Sequence, residues 1–479
     1  MGTCYITRRG KRTGYTEQLG IYPIGNNGRP TGNVIVPSTI YSISYWLFRD
    51  NTAITGISLP DQISSFDSNA FYGCTNLQSI KIPHDTNVIS SSMFYGCTNL
   101  AKVELSDNID TISTNAFYNC SSLVDVVVPD TASDIELNDQ AFYNCTLLSD
   151  ESVNALCKHI NVQPTSKYVF YQCTGLRNVV TNYVYDYWFD GCSKLKSVVV
   201  KNTSGNLGTA VFRNCKMLSD VTLPMGITKL GDYCFQNTAI ETFTIQSTVT
   251  LIDSYCFSGC KNLKNITIED GASYELDSYA FSECSSLTNE DVHNIMEQYK
   301  SISSYIFQKC TSLTDVSVSR FWEEMFSGCT NLIKAVSLVG KPTGNYVFEN
   351  CTNLQEVRFA DGTDTIGYAL FRSCTSLKTV YLPSSITTAT YNSLTDSGSS
   401  NIFYGCTALE DVQLGQDWNM SLRITVSTNI TVDSMIAMFN SLKDLTGATA
   451  KTLTLGSTNL AKLSDEQKAI AINKNWTLA

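Results

Sequence analysis

Apolar residues recur along most of the chain in one arrangement: a phenylalanine, a cysteine three residues on, a leucine three beyond that, then a short alternating run. The arrangement is plainest in Phe71-Tyr-Gly-Cys-Thr-Asn-Leu77, which returns as Phe94-Tyr-Gly-Cys-Thr-Asn-Leu100 and as Phe117-Tyr-Asn-Cys-Ser-Ser-Leu123. In reduced form it occurs fourteen times between Phe71 and Phe403, with degenerate copies at Phe48 and Phe235, and the commonest step is 23 residues. After each leucine, runs such as Leu77-Gln-Ser-Ile80-Lys-Ile82 alternate apolar and polar residues, which predicts a short strand with one buried face. A turn follows with apolar residues three apart (Ile109 and Ile112), then a small residue before the next phenylalanine (Ala116). One such unit cannot bury its own apolar side, but stacked units bury it against each other, so the pattern predicts an α/β repeat solenoid of short parallel strands. Sixteen turns at a strand spacing of about 4.8 Å would extend roughly 75 Å. Strands are expected at residues 79–82, 102–105, 220–223 and 379–382.

The unit stretches in places, and each stretch predicts something different. Residues 148–160 and 287–299 carry Ser or Thr, then acids, then apolar residues at helical spacing, with Thr288 and Asp291 placed as a capping box. Two turns are therefore expected to replace their strand with a short helix. In the first of these, Cys157 is expected in the core and His159 in solvent, since two residues apart they share no helix face. Residues 390–400 are polar and read as a surface loop. Beyond Leu414 the register fades. Met435, Met438, Phe439, Leu442 and Leu445 form a helical stripe, Leu453-Thr-Leu455 reads as a strand, and Ser464-Asp-Glu-Gln467 as a second capping box. The expected organisation is an N-terminal cap or arm over 1–30, which holds Arg8, Arg9, Lys11, Arg12 and the turn signal Gly25-Asn-Asn-Gly28. A solenoid over 31–415 and an α-containing C-terminal cap over 416–479 complete it.

The repeat resembles the leucine-rich repeats of the bacterial surface-antigen, or BspA-like, type. The family pattern Leu-Pro-x-x-Ile-x-x-Ile-x-x-x-Ala-Phe-x-x-Cys-x-x-Leu-x-x-Ile-x-Ile is met nearly in full from Leu59 to Ile82, and the likeness spans about residues 31 to 415. The resemblance implies an extracellular surface that binds a host or another partner, and no enzyme activity. The ending from Leu463 to Ala479 is similar to tails of prophage and surface proteins of gut bacteria.

Charge and cysteine content narrow the picture. The 479 residues carry a formal net charge of −11, and no run of Lys or Arg follows the first dozen residues. That argues against nucleic acid or an anionic membrane as partner. Of 18 cysteines, fourteen fill the repeat slot, and Cys234 and Cys256 sit where other turns place a small residue. One cysteine per turn predicts a buried, reduced column, because free cysteine packs as a small hydrophobe and sulfurs one strand spacing apart are too far for a bond. The absence of a readable leader at Met1-Gly-Thr-Cys-Tyr-Ile fits synthesis in a reducing cytosol, with later display on a cell surface or virion possible. No run is long enough for a membrane helix, and no Cys-x-x-Cys pair, phosphate loop, Gly-x-Ser-x-Gly elbow or His-Glu-x-x-His motif is present. With three histidines, none beside a nucleophile, no catalytic residue, cofactor or metal is assigned.

Two surfaces are candidates for contact with a partner. On each strand, the outward positions give one row containing Lys102, Asp125, Asp220, Asp315, Glu356 and Asp411, and a second containing Lys81, Glu104, Arg358 and Tyr381. These rows are varied while the buried rows are monotonous. The residue after the repeat phenylalanine gives the other surface, a strip of Tyr72, Tyr95 and Tyr118 continuing to Tyr143 and Tyr171; tyrosine offers a large contact area at low entropy cost. The expected function is non-enzymatic recognition or adhesion toward a protein or glycan partner. The alternative is a structural or host-attachment component of a phage virion or tail.

Overall fold

The computed structural model describes residues 30–43, 47–202 and 204–479, together with the backbone of four short strands nearer the N-terminus. Those strands pair antiparallel, Gly2–Cys4 with Tyr22–Ile24 and Thr7–Arg9 with Thr16–Gln18. The rest of the expected N-terminal arm, including Lys11, Arg12 and the turn at 25–28, lies outside the described residues, as do the side chains of Arg8 and Arg9. The chain forms two compact units, residues 1–240 and 241–479.

Each unit is a solenoid of parallel strands. In the first, Ser79–Lys81, Lys102–Glu104 and Asp125–Val127 pair in register, as do Asn178–Thr181, Ser197–Val200 and Asp220–Thr222. In the second, five strands run side by side: Asp315–Val318, Lys334–Ser337, Glu356–Arg358, Thr379–Leu382 and Asp411–Leu414. All four strands expected from the alternation are present. The apolar bend was expected to be a turn, and it is a second parallel ladder of two-residue strands. Val88–Ile89, Thr111–Ile112 and Glu136–Leu137 pair there in the first unit, and Leu251–Ile252 and Tyr274–Leu276 in the second. In these ladders the residue five before the phenylalanine points inward, and the backbone N–H just before it bonds back to the preceding turn, as Glu136 N–H does to the Asp110 carbonyl at 2.8 Å.

The interior is built from axial columns. The repeat phenylalanines are fully buried, and their rings stack turn upon turn with centroids 5.0–6.0 Å apart from Phe48 to Phe235. In the second unit they stack from Phe257 to Phe403 at 5.2–6.1 Å. Beside them runs the cysteine column. All fourteen repeat cysteines are buried with free thiols, and they do more than fill space. Within each unit the thiols donate to the carbonyl of the phenylalanine one turn back, as Cys97 does to Phe71 at 3.1 Å and Cys374 to Phe348 at 3.0 Å. A small apolar side chain with one weak donor suits a slot that is dry yet faces a carbonyl. The residues two before and two after each phenylalanine from Phe71 to Phe371 have positive φ, as at Asn115 and Asn119 around Phe117. That requirement accounts for Gly73 or Asn119 in the third place of the motif.

Both expected helices are present: α1 (Asp150–Lys158), capped by Ser149, and α2 (Asn289–Glu297), whose Thr288 and Asp291 form the capping box. They replace strands, and their side chains stand in for the missing ladder. Ser152 Oγ accepts from Val126 N–H at 2.8 Å, Asp150 from the Arg177 and Asn178 N–H groups at 2.7 and 3.0 Å, and Asn154 from Val180 N–H at 2.7 Å. In α2, Asp291 accepts from Ile266 N–H and Asn289 from Thr314 N–H. Cys157 is buried and His159 partly exposed. The polar stretch at 390–400 is not all surface: a short helical turn leaves Tyr391 76% exposed, but Ser393 and Leu394 face inward. The C-terminal region continues the same plan on larger turns. There α3 (Val432–Ser441) sits beside the last strand through Val412 N–H to Ser434 Oγ at 3.0 Å. Leu422–Arg423, Lys451–Thr454 and Trp476–Leu478 form a parallel sheet. The Lys474 ammonium caps the end of α3 on the carbonyls of Phe439, Asn440 and Leu442, where a cation also suits the helix dipole. The Ser464 capping box opens α4 (Asp465–Ile472).

Candidate binding faces

The strand face in the second unit is a preformed plane. Register places Asp315, Lys334, Glu356, Thr379 and Asp411 in one row and Ser317, Val336, Arg358, Tyr381 and Gln413 in the next. Five of the residues expected to contact a partner therefore lie on one sheet. Neighbours on this face hold each other in place. The Lys334 ammonium meets the Glu356 carboxylate at 2.9 Å, the Arg358 guanidinium lies 4.1 Å from the Tyr381 ring centroid, and the Tyr381 hydroxyl donates to Asp361 at 2.7 Å. Burial, then the Asp361 carboxylate, raises the Tyr381 hydroxyl above its ordinary value, so it stays a donor at neutral pH. Lys334 belongs to this row although the outward positions picked from sequence passed over its turn.

In the first unit, α1 interrupts the same face. On one side Lys81, Lys102 and Glu104 come together around a depression of ≈ 540 Å³ that also takes in Asn33, Ile35 and Ser79. The Lys102 ammonium bonds Glu104 at 2.7 Å, which lowers the Glu104 carboxyl below its ordinary value. Asp125 is exposed on the strand next to α1, and Asp220 on the last strand beyond it. Ile35, 69% exposed at the rim, is the apolar element that the outward rows did not include.

Tyr72, Tyr95 and Tyr118 are half-buried and stack face to face with Tyr143 and Tyr171, at centroid distances of 4.8, 4.6, 4.4 and 4.6 Å. Arg49 covers the outer face of Tyr72 at 4.4 Å. Ring faces are thus used within the column, leaving edges and hydroxyls for solvent. Burial and the hydroxyls of Tyr171 and Tyr118 push Tyr143 up to about 12. A second tyrosine row escaped the sequence reading. It stands two residues before the repeat phenylalanine, with Tyr168 stacked on Tyr187 at 4.4 Å, and Tyr255 on Tyr279 and Tyr279 on Tyr305 at 4.5 and 4.2 Å. The recurring Tyr-x-Phe spacing was the available signal.

Comparison with known proteins places this architecture. The family model described as BspA type leucine rich repeat region (6 copies) matches in overlapping segments from residue 27 to 422, so the chain belongs to the BspA-type leucine-rich repeat family. Among solved structures, a leucine-rich repeat protein from Bacteroides ovatus is 22% identical, with a TM-score of 0.56, covering 85% of this chain and 92% of that one. A leucine rich cell surface protein from Faecalibacterium prausnitzii is 18% identical with a TM-score of 0.37, over 84% of this chain and 94% of its own. No curated protein matches the chain in sequence. Among the described residues, no helix is long and apolar enough to cross a membrane.

Proposed function

We propose that the chain is a non-enzymatic recognition protein whose strand face docks a protein partner. The observation that carries this reading is the five-stranded plane of the second unit, where register alone sets ten outward side chains of differing charge, size and polarity on one rigid frame. Such a surface can be rewritten one turn at a time without disturbing the buried columns. Membership of a surface-antigen repeat family supports recognition or adhesion as the role. A protein partner is favoured over a glycan because stacking on sugars needs free aromatic faces. One face of Tyr381 is taken by Arg358, and the Tyr72, Tyr95 and Tyr118 faces by their neighbours.

The test is a binding screen of the immobilised full chain against a panel of purified proteins and oligosaccharides, followed by two triple variants. Arg358→Ala, Tyr381→Ala and Asp411→Ala together are expected to abolish binding to a protein hit, while Tyr72→Ala, Tyr95→Ala and Tyr118→Ala together leave it. Loss only in the tyrosine set would move the contact to that strip, and hits confined to oligosaccharides would overturn the choice of partner class.

A further inference from the structure

The second ladder of the first unit has a missing rung. Glu136 and Asn138 bond back to the preceding turn, through Glu136 N–H to the Asp110 carbonyl and Asn138 N–H to the Ile112 carbonyl at 2.8 and 2.9 Å. Alternation along a strand therefore points the N–H and C=O of Leu137 the other way, toward the next turn. In other turns that position is answered: the Ile89 carbonyl takes Ser113 N–H and the Leu207 carbonyl takes Gly231 N–H, both at 2.9 Å. At Leu137, no such bond forms among the described residues, and Glu136–Leu137 pairs only with Thr111–Ile112.

The cause is in the sequence. Six residues before the next repeat phenylalanine, Phe170, stands Pro164, at the position whose N–H would bond back across the gap. Proline has no N–H to give and ends a ladder. The chain from Asn161 to Ser166 swings away, held by Gln163 Nε2 on the Val184 carbonyl and by the Trp188 indole on the Ser166 carbonyl, at 2.8 and 2.7 Å. It leaves a cavity of ≈ 570 Å³ between the open edge and this detour, within the size range of ligand pockets. Two features of the lining indicate an occupant. Asp110, Asp134, Glu136 and Asp139 all line it, and no cation does. Ser166, only 7% exposed, also lines it, and its enclosed hydroxyl has no partner among the described residues.

We propose that this groove is a docking site for an extended, basic peptide segment, which adds as the missing strand to the edge at Leu137. The backbone of the guest would satisfy the Leu137 N–H and C=O, as in strand addition generally, and its Lys or Arg side chains would meet the four carboxylates. The site lies in the first unit, and its failure or success leaves the strand-face reading untouched.

The experiment titrates the full chain against a fluorescein-labelled Val-Lys-Val-Lys-Val peptide and follows anisotropy. Two control peptides carry Glu in place of Lys, or N-methyl groups on alternate amides. Hydrogen exchange of the segment around Leu137 is measured with and without the Lys peptide. Expected results are binding of the Lys peptide alone and slowed exchange at Leu137 when it is bound. Asp110→Asn, Asp134→Asn and Glu136→Gln together should weaken binding by about tenfold or more, in line with three partly exposed charge contacts. Absence of binding, equal binding of the N-methylated peptide, or unchanged exchange at Leu137 would each overturn the proposal; the last two use unmodified protein and so do not depend on the variant folding.

Discussion

Raising the pH should unfold this protein abruptly, through its thiols. Burial pushes Cys157, Cys173 and Cys329 up to about 12, and raises Cys97, Cys120, Cys145, Cys192 and Cys215 as well. An unfolded cysteine ionises near about 8.5. Between these values the folded chain keeps its thiol protons and the unfolded chain loses them. The unfolded state then binds fewer protons, and stability falls as pH rises, by about 1.4 kcal/mol per pH unit for each thiol. Below about pH 7.5 the effect is negligible. At pH 9.5 each raised thiol costs about 1.4 kcal/mol, so the seven in the first unit together cost about 10 kcal/mol, comparable to the whole stability of a typical domain. Loss of β-structure is therefore expected as a steep step between about pH 9 and 10, under reducing conditions that keep the unfolded thiols from oxidising. Far-ultraviolet circular dichroism would follow the fold while thiolate absorbance follows ionisation, and the two should change together. Thiolate appearing near pH 8.5 with the fold intact would show that the cysteine column is not dry, and the reasoning would fail.

Other perturbations test the remaining contacts. Phe117→Ala removes a ring stacked at 5.2 and 5.0 Å on both sides and should cost about 3–5 kcal/mol, read as a lowered denaturant midpoint for the first unit. Arg213→Ala should cost about 3–5 kcal/mol, because Asp190, 2% exposed, would lose the guanidinium 2.6 Å away; adding Asp190→Asn should recover most of it in thermal unfolding. Asn154→Ala should leave the exposed Val180 N–H to water at the edge of α1, costing about 0.5–1.5 kcal/mol and speeding its hydrogen exchange, without altering circular dichroism.

The solenoid was legible because its signal is repeated: Phe117, Cys120 and Leu123 mean little alone, but fourteen copies in register fix which residues face inward. The two helices were legible from Ser149 and Thr288 with the acids behind them, since caps are local chemistry. What stayed hidden depends on contacts between turns. Nothing in the alternation around Ile112 distinguishes a bend from a two-residue strand, because the bonds that make it a ladder reach 23 to 26 residues along the chain, as from Asn138 to Ile112. Pro164 was visible, yet its meaning needs the neighbouring edge at Leu137. The rows of candidate contact residues were legible as positions, but their pairing, such as Lys334 with Glu356 or Arg358 over Tyr381, follows from register and side-chain reach.

The two tyrosine rows bear on where recognition lies. Residues two before the phenylalanine take positive φ in every turn from Phe71 to Phe371, and early turns meet this with Asn69, Ser92, Asn115 and Gln140. Later turns place Tyr168, Tyr187, Tyr233, Tyr255, Tyr279, Tyr305 and Tyr346 there, where a bulky side chain costs about 1–2 kcal/mol. The change coincides with the end of the other row: Tyr171 is the last of its stack, and Tyr168 meets it edge-on at 5.7 Å before stacking on Tyr187. At the turn where Ala210 supplies no ring, the Arg213 guanidinium lies 5.6 Å from the Tyr187 ring centroid and 5.9 Å from that of Tyr233. Up to Tyr305 a flat, polarisable group is thus kept on this ridge although the position that supplies it moves, and the stacking and burial it gains, about 0.5–1.5 kcal/mol per aromatic pair beyond area, offset the backbone cost. Occupancy that survives a change of position is what a packing role requires, whereas a partner would need a given side chain at a given place. The ridge therefore reads as a seam that binds turn to turn, and the side chains free to differ from one turn to the next are those on the strand face.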